Sequence, residues 1–256
     1  MAGCASSGAQ VDASPQFFYN SSIAKRMDRR GTVNRGPFRA VLFDMDGVII
    51  DTERVHQEGW QYACDMQGLK LRRSFVAKLC GANREYQKIL FREEYGAAVD
   101  YAAIRRLRQD YCAVQFERDG IPVKTGYREL TDWLREQGIR RALCTSTQLP
   151  VAEQELAVAG VPFDFDAAVT GMEPERSKPE PDVFLLGAKK LGVQPEECIV
   201  LEDSPNGVRA GFAAGCRVIM IPDTFPATEE LRRMAYSVCA NLLEARELLT
   251  TIMGHV

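Results

Sequence analysis

Two aspartates two residues apart, in Asp44-Met45-Asp46-Gly47-Val48, come directly after the apolar run Ala40-Val41-Leu42-Phe43. Carboxylates so spaced at the end of a strand can reach one ligand together, and Gly47 allows a tight turn and close backbone approach. A lone acid there would be an ordinary helix-capping turn. Three further features stand after later apolar runs. Thr145-Ser146-Thr147 offers a hydroxyl and backbone N–H groups suited to a phosphate, though such residues are common in turns. Lys178, between Ser177 and Pro179-Glu180-Pro181-Asp182, is either a surface lysine or a fixed positive charge for an anion. Glu202-Asp203-Ser204 either begins a helix favourably or offers two carboxylates to a hard cation. If Asp44, Asp46, Glu202 and Asp203 share one edge, their charge requires a cation. Magnesium suits such a site, because it combines one or two carboxylates with water and phosphate oxygens. Lys178 and Thr145 then complete a pocket for a phosphoryl group, with the positive charges screening its repulsion from an attacking carboxylate.

These residues need a scaffold that brings strand ends together. Besides residues 40–43, apolar runs occur at Ala142-Leu143-Cys144, Ala167-Ala168-Val169, Ile199-Val200-Leu201 and Val218-Ile219-Met220-Ile221. Short, uninterrupted runs of this kind read as buried parallel strands. Helical patterns lie between them. Tyr127, Leu130 and Leu134 recur on one face with Trp133 beside them, and Gly138 stops that helix. Pro150 suits a first helical turn, and Pro181 opens a helix that ends before Gly192. The alternation predicts an α/β fold, a Rossmann-like doubly wound parallel sheet. From Arg54 to Gly120 no strand pattern appears; Ile89, Leu90 and Tyr95, then Ile104, Leu107, Tyr111 and Val114, read as helices. A helical cap subdomain (54–120) is therefore expected, inserted after the first strand of a core formed by 38–53 and 121–256. Leaving from the carboxyl end of that strand, it can close over the ligand crevice.

Residues 1–37 are polar, small and aperiodic, with a basic cluster at Lys25, Arg26, Arg29 and Arg30, and are expected to be a disordered extension. Lipidation of Cys4 is not expected, because the basic and apolar regions that precede such a cysteine are missing. With 32 basic and 35 acidic side chains, the net charge of −3 gives no electrostatic basis for nucleic-acid binding. The eight cysteines show no Cys-x-x-Cys pair, which argues against zinc, and are read as reduced thiols of a cytoplasmic protein. No apolar stretch is long enough to span a membrane. A monomer is the default expectation.

The ordered set strand-Asp-x-Asp-Gly, strand-Thr, Lys-Pro and strand-Glu-Asp-Ser resembles the haloacid dehalogenase superfamily of phosphotransferases, over roughly residues 38–250. The helical insertion resembles its helical-cap subgroup, which includes β-phosphoglucomutase and sugar-phosphate phosphatases. That resemblance implies a Mg2+-dependent phosphatase acting on a small phosphorylated metabolite, such as a sugar phosphate. Asp44 would be the nucleophile and a metal ligand. Asp46 would protonate the leaving oxygen, deprotonate the hydrolytic water, and offer its backbone carbonyl to the metal. Asp203 would be the other protein ligand, with Glu202 acting near the metal through water. Thr145, Lys178 and the Ser146 backbone would bind the phosphoryl group. Asp51-Thr52-Glu53 would shape the first hinge. His56 matches a histidine used near the active site by the mutase subgroup, and Arg84 matches a cap arginine that grips a distal phosphate; a structural histidine and a surface arginine are equally compatible. Thr125-Gly126 departs from the Pro-Gly usual at the second hinge, and a slightly looser hinge is expected there.

A phosphomutase shares these core motifs and is the alternative reading. A phospho-accepting signalling module is a third, disfavoured because it has no use for a cap and places its acids differently. A dehalogenase would leave Asp46 idle.

Overall fold

A computed structural model describes residues 38–254; the expected N-terminal extension and Cys4 lie outside the described residues. Six parallel strands form one sheet in the order β3-β2-β1-β4-β5-β6. They are β1 (Ala40–Phe43), β2 (Arg140–Thr145), β3 (Ala167–Thr170), β4 (Cys198–Glu202), β5 (Arg217–Met220) and β6 (Ser237–Val238). The first five coincide with the apolar runs within two residues at either end. The sixth pairs only Ser237 and Val238 with β5, at the sheet's edge, and carries no apolar run.

Alternation along β1 shows why the runs are uninterrupted. Val41 and Phe43 enter one core, with Tyr127, Leu130, Leu156 and Leu249. Ala40 and Leu42 enter another, with Phe184, Ala188, Val208 and Leu231. Both sheet faces are thus covered, so both side-chain registers must be apolar. Between β1 and β2 lie α1 (Glu53–Met66), α2 (Arg73–Leu79), α3 (Arg84–Tyr95), α4 (Tyr101–Asp119) and α5 (Tyr127–Glu136), and further along the chain α6 (Leu149–Val158), α7 (Asp182–Leu191), α8 (Pro205–Ala213), α9 (Glu229–Met234) and α10 (Leu242–Gly254). Helices α5, α6 and α10 supply the first core, and α7, α8 and α9 the second. β1 lies between β2 and β4, so the connections diverge on either side of it. This switch point opens a crevice at the carboxyl ends, where Asp44 stands.

Helices α1, α2, α3 and α4 share a core of their own around Trp60, Phe75, Phe91, Tyr101 and Ile104. The apolar pattern overstated their buried face: Ile89 and Val114 are exposed, whereas Cys112 and Phe116 turn inward. The outgoing and returning segments run side by side, with Ile50 bridging Val123 and Asp51 N–H bonding the Pro122 carbonyl at 2.9 Å. Thr125 and Gly126 rest against the start of α10: Thr125 O accepts from Leu242 N–H, and a Cβ at Gly126 (φ +89°) would lie 2.4 Å from Leu243 N.

No helix among the described residues is long and apolar enough to cross a membrane. Cys64, Cys80, Cys112, Cys144, Cys198 and Cys239 are free thiols, and all seven described cysteines, Cys216 included, are buried.

Candidate active site

The end of β1 delivers Asp44 into a buried charge cluster. Its N–H bonds Leu201 O at 3.0 Å, fixing it beside the end of β4. Lys178 Nζ donates to Asp44 Oδ1 at 2.8 Å, to Glu202 Oε1 at 2.6 Å and to Cys144 O at 3.2 Å. The lysine side chain is wholly buried. Expected to be a fixed charge for an anion, Lys178 is here bonded to two acids of the chain itself. Glu202 is oriented by Ser204, whose N–H and Oγ both donate to Oε2 at 3.0 Å. Glycines make room for the cluster: a Cβ at Gly207 would fall 1.7 Å from Glu202 Oε1, and one at Gly47 (φ +76°) 2.4 Å from Asp203 Oδ2.

One ammonium faces too many carboxylates. Burial, together with Glu202 and Asp46, pushes the Asp44 carboxyl well above the usual carboxylate range despite the opposing pull of Lys178. Burial, then Glu53, Glu202 and Asp44, does the same to Asp203. Burial alone would push the Lys178 ammonium down, but Asp44 and Glu202 hold it above its usual value. Oxygens of Asp44, Glu202 and Asp203 all lie within 4.8 Å of one another. Three hard oxygen donors with surplus negative charge fit a divalent cation.

Asp46 is held separately. Thr52 Oγ1 donates to its Oδ1 at 2.5 Å and Thr147 Oγ1 to its Oδ2 at 2.9 Å. His56 Nδ1 lies 3.6 Å from Oδ1. Thr52, assigned to the hinge, thus also fixes an acid of the site. Glu53 is buried beside it, raised by burial, and accepts from Cys80 Sγ at 3.3 Å. Thr145 is buried, and its Oγ1 accepts from Thr147 N–H at 3.0 Å. Ser146 spends its hydroxyl on Gly81 O at 2.7 Å.

Above Asp44 and Asp46 lies a cavity of about 630 Å³. Its lining includes Thr145, Ser146, His56 and Arg84, so six of the nine residues singled out from sequence border it directly; Lys178, Glu202 and Asp203 lie within hydrogen-bond or ion-ligand range of Asp44. Arg84 keeps half its side chain exposed, 4.0 Å from Glu85. The spacing arguments missed two arginines lining the same cavity, Arg105 and Arg108 on α4. They stand at i and i+3, a signal of a shared face that could have been read from sequence. Arg108 stacks over Trp60 at 4.7 Å, and burial lowers the Arg105 guanidinium below its usual value. Neither has a carboxylate within 4.0 Å among the described residues.

Comparison with known proteins is consistent with this geometry. The family described as haloacid dehalogenase-like hydrolase matches residues 38–215. Hexitol phosphatase A of Escherichia coli (strain K12) is 31% identical over 204 residues, covering 78% of this chain and 91% of that protein. Fructose-1-phosphate phosphatase YqaB of the same organism is 33% identical over 182 residues, covering 70% and 93%. The crystal structure of CbbY from Rhodobacter sphaeroides in complex with phosphate has a TM-score of 0.69 at 28% identity, covering 81% of this chain and 96% of that one.

Proposed function

This chain belongs to the haloacid dehalogenase-like hydrolases, and from that premise we propose that it is a Mg2+-dependent phosphatase of a small phosphorylated carbohydrate, working through an aspartyl phosphate on Asp44. The observation that carries the reading is the convergence of Asp44, Glu202 and Asp203 around Lys178 beneath a cavity that Asp44 itself borders. The names of the relatives, which act on hexitol phosphates and fructose 1-phosphate, support the substrate class.

In this reading Asp44, Asp203 and the Asp46 carbonyl would hold the magnesium, with Glu202 close by. When bound, the metal supplies charge neutralisation that lets an anionic phosphate approach a carboxylate. Lys178 fixes one Asp44 oxygen by hydrogen bond, leaving the other to attack phosphorus. The Thr145 hydroxyl and the Ser146 backbone cradle the phosphoryl oxygens. As the Asp44–phosphorus bond forms and the sugar oxygen departs, Asp46 gives that oxygen a proton. Asp46 then takes a proton from the water that cleaves the acyl phosphate. Its two threonine contacts keep the carboxyl aimed through both steps. Residues 54–120 act as the cap, enclosing the substrate, and Arg84, Arg105 and Arg108 offer positive charge on the cap side.

The test is a magnesium assay across phosphorylated sugars, β-glucose 1-phosphate included, with wild type and Asp44→Asn. Wild type should release phosphate, and the variant should lose about 10⁴-fold or more in kcat while melting as a folded protein. Substantial activity in Asp44→Asn would overturn the mechanism. Accumulation of glucose 6-phosphate in place of phosphate would make the protein a phosphomutase.

A further inference from the structure

Glu155 belongs to none of the motifs, and the mechanism above does not use it. It projects from α6, lines the cavity and is 9% exposed. Its neighbours on that helix, Ala152 and Leu156, are fully buried and apolar. A buried carboxylate on such a face is costly unless paired. Its Oε1 lies 3.7 Å from His56 Nε2, while Oε2 has no hydrogen-bond partner among the described residues. The other ring nitrogen of His56, Nδ1, faces Asp46 Oδ1 at 3.6 Å. Phe116 meets the imidazole edge-on, with centroids 5.8 Å apart, and restricts rotation of the ring.

From this arrangement we infer that Glu155 is a positioning residue: it orients the His56 imidazole so that Nδ1 bears on Asp46, and so completes the set of contacts that aims the acid–base carboxyl. The inference rests on the proposed role of Asp46. The two threonines each hold one Asp46 oxygen, leaving the approach from α1 to His56. An imidazole has two nitrogens on nearly opposite sides, so anchoring one fixes where the other points. Glu155 and Asp46 come from the α/β core and His56 from the inserted helices, so the contact forms fully only when α1 lies against the core. In this assignment Glu155 acts through His56 and not on phosphate or leaving group itself.

A double-mutant cycle tests this with the full chain in magnesium. Glu155→Gln, His56→Gln and the double variant are assayed on p-nitrophenyl phosphate and on the best phosphorylated sugar. Each single change should lower kcat about 10- to 100-fold on both substrates, as loss of an orienting partner does. KM and melting temperature should stay close to wild type, and the double variant should be no worse than the poorer single. Glu155→Asp should recover part of the loss. The chain has two histidines, His56 and His255, so the imidazole ¹⁵N signals missing from His56→Gln identify His56. Glu155→Gln should shift those signals whether or not either substrate is turned over. Multiplying losses in the double variant, a rise in KM confined to the sugar, a fall in melting temperature with kcat intact, or unshifted His56 signals would each overturn the assignment. Absence of turnover by wild type would instead overturn the phosphatase reading, leaving the His56 signals to decide the Glu155 contact.

Discussion

Lys178→Met would remove the ammonium that lies between Asp44 and Glu202, 2.8 and 2.6 Å away, while keeping an unbranched apolar stem. Nζ also lies over the Phe184 ring, 5.0 Å from its centroid, a place the methionine thioether can take, so packing should change little and the electrostatic loss should dominate. Removing one partner of a buried, hydrogen-bonded ion pair costs about 3–5 kcal/mol. In a domain of this size 1 kcal/mol moves the melting temperature by about 2–4 °C, so the expected fall is roughly 6–20 °C. The pH dependence separates charge from packing. Lys178 pulls the Asp44 carboxyl down, against burial that holds it above its ordinary value. Without the lysine the folded-state pKa rises further. A carboxyl whose folded pKa exceeds its unfolded one favours folding at low pH, and that contribution is lost as pH rises through the folded value. The deficit of Lys178→Met should therefore be larger at pH 8 than at pH 5, measured by calorimetry in EDTA. A melting temperature within about 2 °C of wild type at pH 8, against the shift expected per kcal/mol, would refute the argument. So would an equal deficit at both pH values, which is what a packing defect would give.

Magnesium at about a hundred times its dissociation constant should stabilise the wild type by about 2.7 kcal/mol, read as a rise in melting temperature, and Asp203→Asn should abolish that rise. In EDTA at pH 8 the same variant should melt above wild type. Burial and its acidic neighbours hold the Asp203 carboxyl high, so ionising it opposes folding, and the gain should shrink toward pH 5. Arg108→Gln should raise KM for the preferred phosphorylated sugar about 10-fold or more, the worth of a charged hydrogen bond, and leave KM for p-nitrophenyl phosphate nearly unchanged. An equal rise for both compounds would place Arg108 in the support of the fold, through its stacking on Trp60.

The parts legible in the sequence are those fixed by local rules. Buried parallel strands read as plain apolar runs because each face meets a core, as Val41 and Leu42 do on opposite sides. Asp44, Asp46, Glu202 and Asp203 were legible because each lies within three residues of the end of such a run. The pairing of Asp46 with its named neighbours was not. Thr52, Thr147 and His56 come from a hinge, a turn and a helix, and their meeting depends on how α1 packs over the sheet. Glu155 was invisible for the same reason: in Leu149–Val158 its spacing differs little from that of the exposed Glu153, and only the packing of His56 against α6 distinguishes them. β6 escaped because two half-buried residues at an edge carry no period. Ile89 and Val114 misled because apolar identity alone does not fix which side of a helix is covered.

The contacts between the inserted helices and the core also bear on how the site closes. Gly81 O accepts from Ser146 Oγ, Asn83 N–H donates to Ser177 Oγ at 2.7 Å, and Asn206 Nδ2 donates to Lys78 O and Cys80 O. Those core partners follow β2, β3 and β4, and each lies within three residues of Thr145, Lys178 or Asp203. The loop at 80–83 therefore rests on the same turns that carry Thr145, Lys178 and Asp203. Its approach requires the absence of a side chain at Gly81, where a Cβ would lie 2.7 Å from Ser204 Oγ. All four bonds join neutral groups, each worth about 1 kcal/mol net. On the proposed function, bonds of this strength would let the loop lift for exchange of substrate and product. Substrate that draws Ser146 or Lys178 into a new arrangement must also move the footing of the loop. On the proposed function, phosphate binding and closure would be coupled through these shared residues, with no need for a longer pathway.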